Sequence, residues 1–138
     1  MTDKTIEQEI LSKGLTAPRV TPADIDANIE REYYFTAANG VDGYEIAVLR
    51  ASEVHASLEL EPMSSDPNLM DTKLGPLTIL TFCVLVLRNG FTVTGESACA
   101  SPENFDAEIG RKIARANAVQ KIWPLMGYAL KEQLHHSQ

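Results

Sequence analysis

The sequence predicts an α+β domain, with a small antiparallel sheet and an Asn-Gly hairpin packed against a long C-terminal helix, plus short N-terminal helices. Three observations lead there. Leu87-Arg88-Asn89-Gly90-Phe91-Thr92 sets a turn dipeptide between two strand-like runs, and Asn-Gly tolerates the positive φ values of a two-residue hairpin. From Ser101 to Trp123 apolar residues recur at helical spacing. Before the hairpin, residues 5–36 read as helix, helix, strand. With 138 residues, 44% of them hydrophobic, the chain buries one core, so a single domain over 1–138 is expected.

In chain order, Ile6 and Ile10 at a spacing of four predict a short helix over 5–13, stopped by Gly14. Thr21-Pro22-Ala23-Asp24 supplies a capping hydroxyl, a first-turn proline and a first-turn acid. The helix it starts, with Ile25 and Ile29 inward, is expected to run to about Glu32. Tyr33-Tyr34-Phe35-Thr36 has strand composition and stops at Asn39-Gly40, with Asp42-Gly43 close behind. Tyr44–Leu49 and Ala56–Leu60 read as further strands, and the aperiodic, proline-containing segment 62–76 as an exposed loop.

Ile79–Leu87 is nearly continuous apolar, as in a strand covered on both faces. A two-residue turn pairs Val86 with Val93 and Leu85 with Thr94. One face then mixes Leu85 and Leu87 with threonines and Glu96, so the leucines need a cover, for which a second subunit is a candidate. Ser101-Pro102 is expected to open the last long helix and Pro124 to end or kink it, with 125–134 as a terminal helix. Phe105, Ile109, Ala116 and Trp123 form one stripe, assigned to the sheet. Ala107, Gly110, Ala114 and Ala118 form a small-residue side open to close approach.

A net charge of −7 argues against general binding to nucleic acid or anionic membranes. The longest apolar run is too short to span a bilayer, and residues 1–4 lack a signal-peptide core, so a cytoplasmic protein is expected. Cys83 and Cys99 have no metal-ligand spacing; no metal and no cofactor are expected.

Gly95-Glu96-Ser97-Ala98-Cys99 begins like a serine-hydrolase elbow but ends in cysteine where that turn needs glycine. Its histidine base is also missing: His55 lies in a doubtful strand, and His135 and His136 in a tail. A structural connector is the favoured reading. The pairs Asp24/Asp26 and Glu59/Glu61 have the spacing of solvated faces. Arg111 and Arg115 stand one helical turn apart, where like charges repel unless an anion or acid lies between them. One reading is a surface ion pair with Glu108; the other is a forked guanidinium clamp for phosphate. The clamp gains weight if the same edge faces Thr92, Thr94, Glu96 and the aromatic Phe91, with Arg88 as a further phosphate contact and Asn104 on the polar edge.

The run "ENFDAEIGRKIA" followed by "KIWPL", within a match from about Leu77 to Leu130, closely resembles a family of small tailed-phage and prophage proteins known from N-four-like and temperate Shigella phages. "TPADIDANIEREYYFTAANG" resembles it more loosely. That family is similar to the Thoeris anti-defence sponges, which trap cyclic ADP-ribose isomers and, in some members, cyclic oligonucleotides. The resemblance implies a non-enzymatic, oligomeric α+β protein of the host cytoplasm that sequesters a nucleotide messenger uncleaved. Arg111 and Arg115 then match phosphate-binding arginines, and Thr94 and Glu96 lie near polar strand contacts. The alternative is an oligomeric accessory protein that binds a host protein through the same arginines.

Overall fold

The structure, a computed structural model, describes residues 2–52 and 74–138. Thr2 caps helix α1 (Asp3–Ser12), and Thr21 caps helix α2 (Pro22–Asn28) in a capping box with Asp24. Strand β1 (Ile29–Thr36) follows directly. The second helix therefore ends at Asn28, four residues before the expected Glu32. Ile29 already has extended dihedrals and pairs with Leu87, so sheet pairing claims Ile29-Glu30-Arg31-Glu32.

Thr36 then caps helix α3 (Ala37–Ala51), with Asn39 completing the box. This overturns both the stop at Asn39-Gly40 and the strand at Tyr44–Leu49. Asn39 turns its amide oxygen back to the Thr36 N–H at 2.9 Å, so the dipeptide that signals a turn between strands here seals a first helical turn. The strand expected at Ala56–Leu60 and the loop residues 62–73 lie outside the described residues. Gly75–Ile79, at the end of that expected loop, form a 3-10 turn leading into strand β2 (Leu80–Leu87).

Strand β3 (Thr92–Ala98) completes a three-stranded antiparallel sheet in the order β1-β2-β3. The hairpin is one residue longer than a type I′ turn. Leu87 N–H donates to Phe91 C=O at 2.8 Å and Gly90 N–H to Leu87 C=O at 2.9 Å, so the loop is Arg88-Asn89-Gly90. Gly90 alone has positive φ there, +87°, whereas a type I′ turn requires it at both central residues. The register becomes Leu85 opposite Val93 and Val84 opposite Thr94. A slip of one exchanges every side chain between faces. Leu85 and Leu87 thus join Cys83, Val93 and Gly95 on the inner face, buried within the same chain, and need no second subunit to cover them. Thr92, Thr94 and Glu96 stand on the outer face with Phe82, Val84 and Val86.

Pro102–Asn104 form a separate 3-10 turn. Asp106 then accepts from the Ile109 N–H at 3.0 Å and starts helix α4 (Ala107–His136). The long helix thus opens at Ala107, past the expected Ser101-Pro102. It continues through Pro124 and absorbs the expected terminal helix. The face α4 gives to the sheet is the small one, Gly110, Ala114, Ala118 and Ile122, while Ile109 and Ile113 stay 56% and 46% exposed. Gly95 decides this: a Cβ built there lies 2.1 Å from the Ala114 carbonyl oxygen and 2.3 Å from the Ala118 nitrogen. Backbone meets backbone, which the stripe holding Ile109 is too bulky to permit.

Candidate functional site

Arg111 and Arg115 lie on one flank of α4, the flank turned toward β1. They differ in environment. The Arg115 Nε donates to Glu32 Oε1 at 2.6 Å, and its Nη2 lies 3.9 Å from Asp26. Tyr34 donates its hydroxyl to the same Glu32 oxygen at 2.9 Å. Partial burial alone would raise the Glu32 carboxyl, but the two hydrogen bonds outweigh it and hold it below the usual carboxylate range. Burial and the bond to Glu32 push the Tyr34 phenol well up, and burial raises the neighbouring Cys83 thiol. Arg115 is thus a member of an ion-paired network tying α4 to β1 and α2.

Arg111 has no ion-pair or hydrogen-bond partner among the described residues. The expected pairing with Glu108 is replaced by Glu108 with Lys112 at 3.3 Å. Arg111 borders a hollow of about 170 Å³ whose wall comprises Tyr34, Phe35, Thr36, Asn39, Thr81, Phe105 and Ala107. Each element delivers its residue for a local reason. β1 ends there, bringing Tyr34 and Phe35; Thr36 and Asn39 form the first turn of α3. Thr81 is a buried polar residue at an inward position of β2, and Gly110 leaves room for it, since a Cβ on Gly110 would lie 3.1 Å from the Thr81 hydroxyl oxygen. The hollow therefore joins the Arg111 guanidinium, unpaired among the described residues, the rings of Tyr34 and Phe105, the Thr36 and Thr81 hydroxyls, and the starts of α3 and α4, capped by Thr36 and by the Asp106 carboxylate; the Phe35 ring lies on the outer face against Phe82.

The other residues singled out from sequence do not converge on it. Thr94 and Glu96 project from the sheet face turned away from α4, and the Glu96 main-chain oxygen accepts from Asn117 Nδ2 at 2.8 Å. Arg88 sits at the hairpin tip, where its N–H donates to the Asn28 carbonyl at 3.0 Å. Its side chain borders a groove of about 450 Å³ with Arg19, Asn28, Met126 and Gln133. Phe91, 54% exposed, borders a hollow with Leu125 and Met126 beside the C-terminal half of α4. Asn104 is exposed in the 3-10 turn before α4. Gly95-Glu96-Ser97-Ala98 form the end of β3, and the Cys99 thiol donates to the Ser101 carbonyl at 3.1 Å. His55 lies outside the described residues. Among the described residues no three metal-ligating side chains gather, and no helix is long and apolar enough to cross a membrane.

A model of the phage protein (N4 Gp49/phage Sf6 gene 66) family matches residues 20–134. The chain belongs to this family. No curated protein and no solved structure matches it. The part matched to the phage family contains the sheet, α2, α3, nearly all of α4 and every residue of the Arg111 hollow, whereas α1 precedes it.

Proposed function

We propose that this phage protein sequesters a nucleotide second messenger, a cyclic ADP-ribose isomer or a cyclic oligonucleotide, without cleaving it, in the host cytoplasm. The observation that supports this best is Arg111: a guanidinium unpaired among the described residues, beside a hollow of aromatic rings and hydroxyls. A phosphate satisfies the guanidinium fork, and Tyr34 and Phe105 offer ring surface to a base or ribose. At about 170 Å³ the hollow is smaller than the roughly 300 Å³ at which small-molecule sites usually begin. It takes a phosphate and leaves the rest of the nucleotide to extend along α4 past Arg115. The residues that line it are neutral apart from the Arg111 cation, and the one carboxylate beside it, Asp106, is bonded to the start of α4.

The two arginines are assigned different parts. Arg111 contacts the ligand directly, whereas Arg115 keeps β1 in place through Glu32 and meets the ligand at the far end. The test is retention. Purified protein is incubated with a panel of cyclic ADP-ribose isomers and cyclic di- and trinucleotides, freed of unbound ligand and heat-denatured, and the released nucleotide is identified. Intact ligand from the wild type, with affinity reduced about tenfold or more in Arg111→Ala at an unchanged melting temperature, is the expected result. Arg115→Ala is expected to lose about 0.5–1 kcal/mol of stability as well, the scale of a half-exposed ion pair. Altered ligand would make the protein an enzyme, and no binding across the panel would leave the host-protein reading.

A further inference from the structure

We propose that the groove beneath α1 is a docking site for an amphipathic helix of another protein, and that α1 is a displaceable occupant covering it until such a helix competes. The helix that fits carries two large aliphatic or aromatic residues four positions apart, with a carboxylate directly after the first. The inference is independent of the nucleotide reading, because no residue of this groove borders the Arg111 hollow.

The groove is built by the part of the chain that matches the phage family, and α1 lies outside that part. Val20 and Pro22, at the entry to α2, form one wall, and Gln120 and Trp123 of α4 the other, all within the matched residues 20–134. Val20 and Trp123 also pack against the hydrophobic core, so the groove does not depend on α1 for its shape. No residue of α1 is buried. Ile6 and Ile10, four apart and so on one face of the helix, meet the groove, yet Ile6 remains 41% exposed. Among the described residues, the hydrogen bonds tying α1 to the rest of the chain are those from Arg19 to Glu7. Its other bonds close within residues 2–15.

The seat is also incompletely filled. Protein interiors close-pack and leave few voids larger than a water molecule. Here α1 borders a hollow of about 230 Å³ bounded by Ile6, Ile10 and Trp123, and a second of about 270 Å³ bounded by Lys4, Val119 and Trp123. The Trp123 indole nitrogen, shielded without a hydrogen-bond partner among the described residues, lacks a bond that buried polar groups ordinarily make and that α1 does not supply. A bulkier side chain where Ile6 stands fills the first hollow better. Charge sets the register: Arg19 takes a carboxylate with both ends of its fork, and α1 places that carboxylate, Glu7, directly after Ile6. Despite its loose fit α1 holds the groove because residues 13–21 tether it, which gives it an effective concentration on the order of millimolar. A free helix displaces it only by binding better, and a larger side chain on the same pattern provides that.

The test uses the full chain and a labelled synthetic peptide of residues 2–14, with peptide anisotropy and Trp123 emission as readouts. The double variant Ile6→Asp, Ile10→Asp should release α1 and shift the emission to the red while thermal unfolding stays cooperative. The peptide should bind this variant about tenfold or more tighter than it binds the wild type, and return the emission to the blue. If the double variant fails to fold, Glu7→Arg in the full chain, which breaks only the link to Arg19, serves as the released form. A peptide carrying Ile6→Phe should bind more tightly than its parent and displace α1 from the wild type. A peptide carrying Glu7→Arg should lose binding, and recover it when Arg19→Glu is added to the released form. No binding to either released form, equal binding to released and wild-type chains, or binding indifferent to the Glu7 and Arg19 exchange each overturns the proposal.

Discussion

At the scale of single residues, Gly95 constrains more of the molecule than any charged group does. Its missing side chain is the space into which the α4 backbone fits, with the Ala114 oxygen and Ala118 nitrogen within 2.3 Å of where a Cβ would stand. Backbone on both sides leaves nothing flexible to yield. Gly95→Ala is therefore expected to cost about 3 kcal/mol and to lower the melting temperature by about 10 °C, measured by thermal unfolding. Alanine at Gly43 meets nothing within 4 Å and serves as the comparison. Arg111 and Arg115 show how much chemistry depends on neighbours far away in sequence. Their spacing on one helix edge is legible in the chain, but the difference between them is set by Glu32 and Asp26, more than eighty residues earlier. Thr81 left a faint signal as the polar residue of an apolar run; Tyr34, Phe35 and Phe105 left none beyond their composition.

At the scale of elements, local chemistry was readable where it closes within a few residues. The Thr21-Pro22 start and the Asn89-Gly90 turn are such cases. The same dipeptide type misled at Asn39-Gly40, because only the preceding Thr36 decides whether Asn-Gly ends a strand or opens a helix. Periodicity found two usable faces on α4, one large and one small, and the choice between them belongs to Gly95 on another element. The hairpin register was wrong by one residue for a related reason: whether Asn89 adopts positive φ is settled by the pairing of β2 with β3. The observed loop makes its own prediction. Gly90, at φ +87° with open space around it, suffers only conformational strain when replaced. Gly90→Ala should cost about 1 kcal/mol in chemical denaturation with no change in m-value. A markedly larger loss would mean that the loop is held by contacts this geometry does not contain.

At the scale of the whole molecule, the part matched to the phage family forms the sheet and its covering helix, and α1 is held onto it from outside by few contacts. No residue of α1 is fully buried. Ile6 and Ile10 lie over a hollow whose opposite wall is Trp123, and Arg19 donates to Glu7 at 2.6 Å. That hydrogen bond, offset in part by desolvation, keeps the Glu7 carboxyl below its ordinary range. A carboxyl depressed in the folded state contributes its stabilisation fully above the ordinary carboxylate pKa, and the contribution disappears as pH falls through the lowered value. Lowering the pH below the ordinary carboxylate range should therefore loosen α1 before the sheet gives way.

Trp123 gives that motion an optical signal. It is the one tryptophan of the chain, and its indole nitrogen is shielded without a hydrogen-bond partner among the described residues. When α1 lifts away, water reaches the ring and its emission should shift to the red while circular dichroism still reports an intact sheet. A single spectrometer cuvette, titrated downward from neutral pH, would thus resolve two stages of unfolding in a protein small enough to be expected to melt in one.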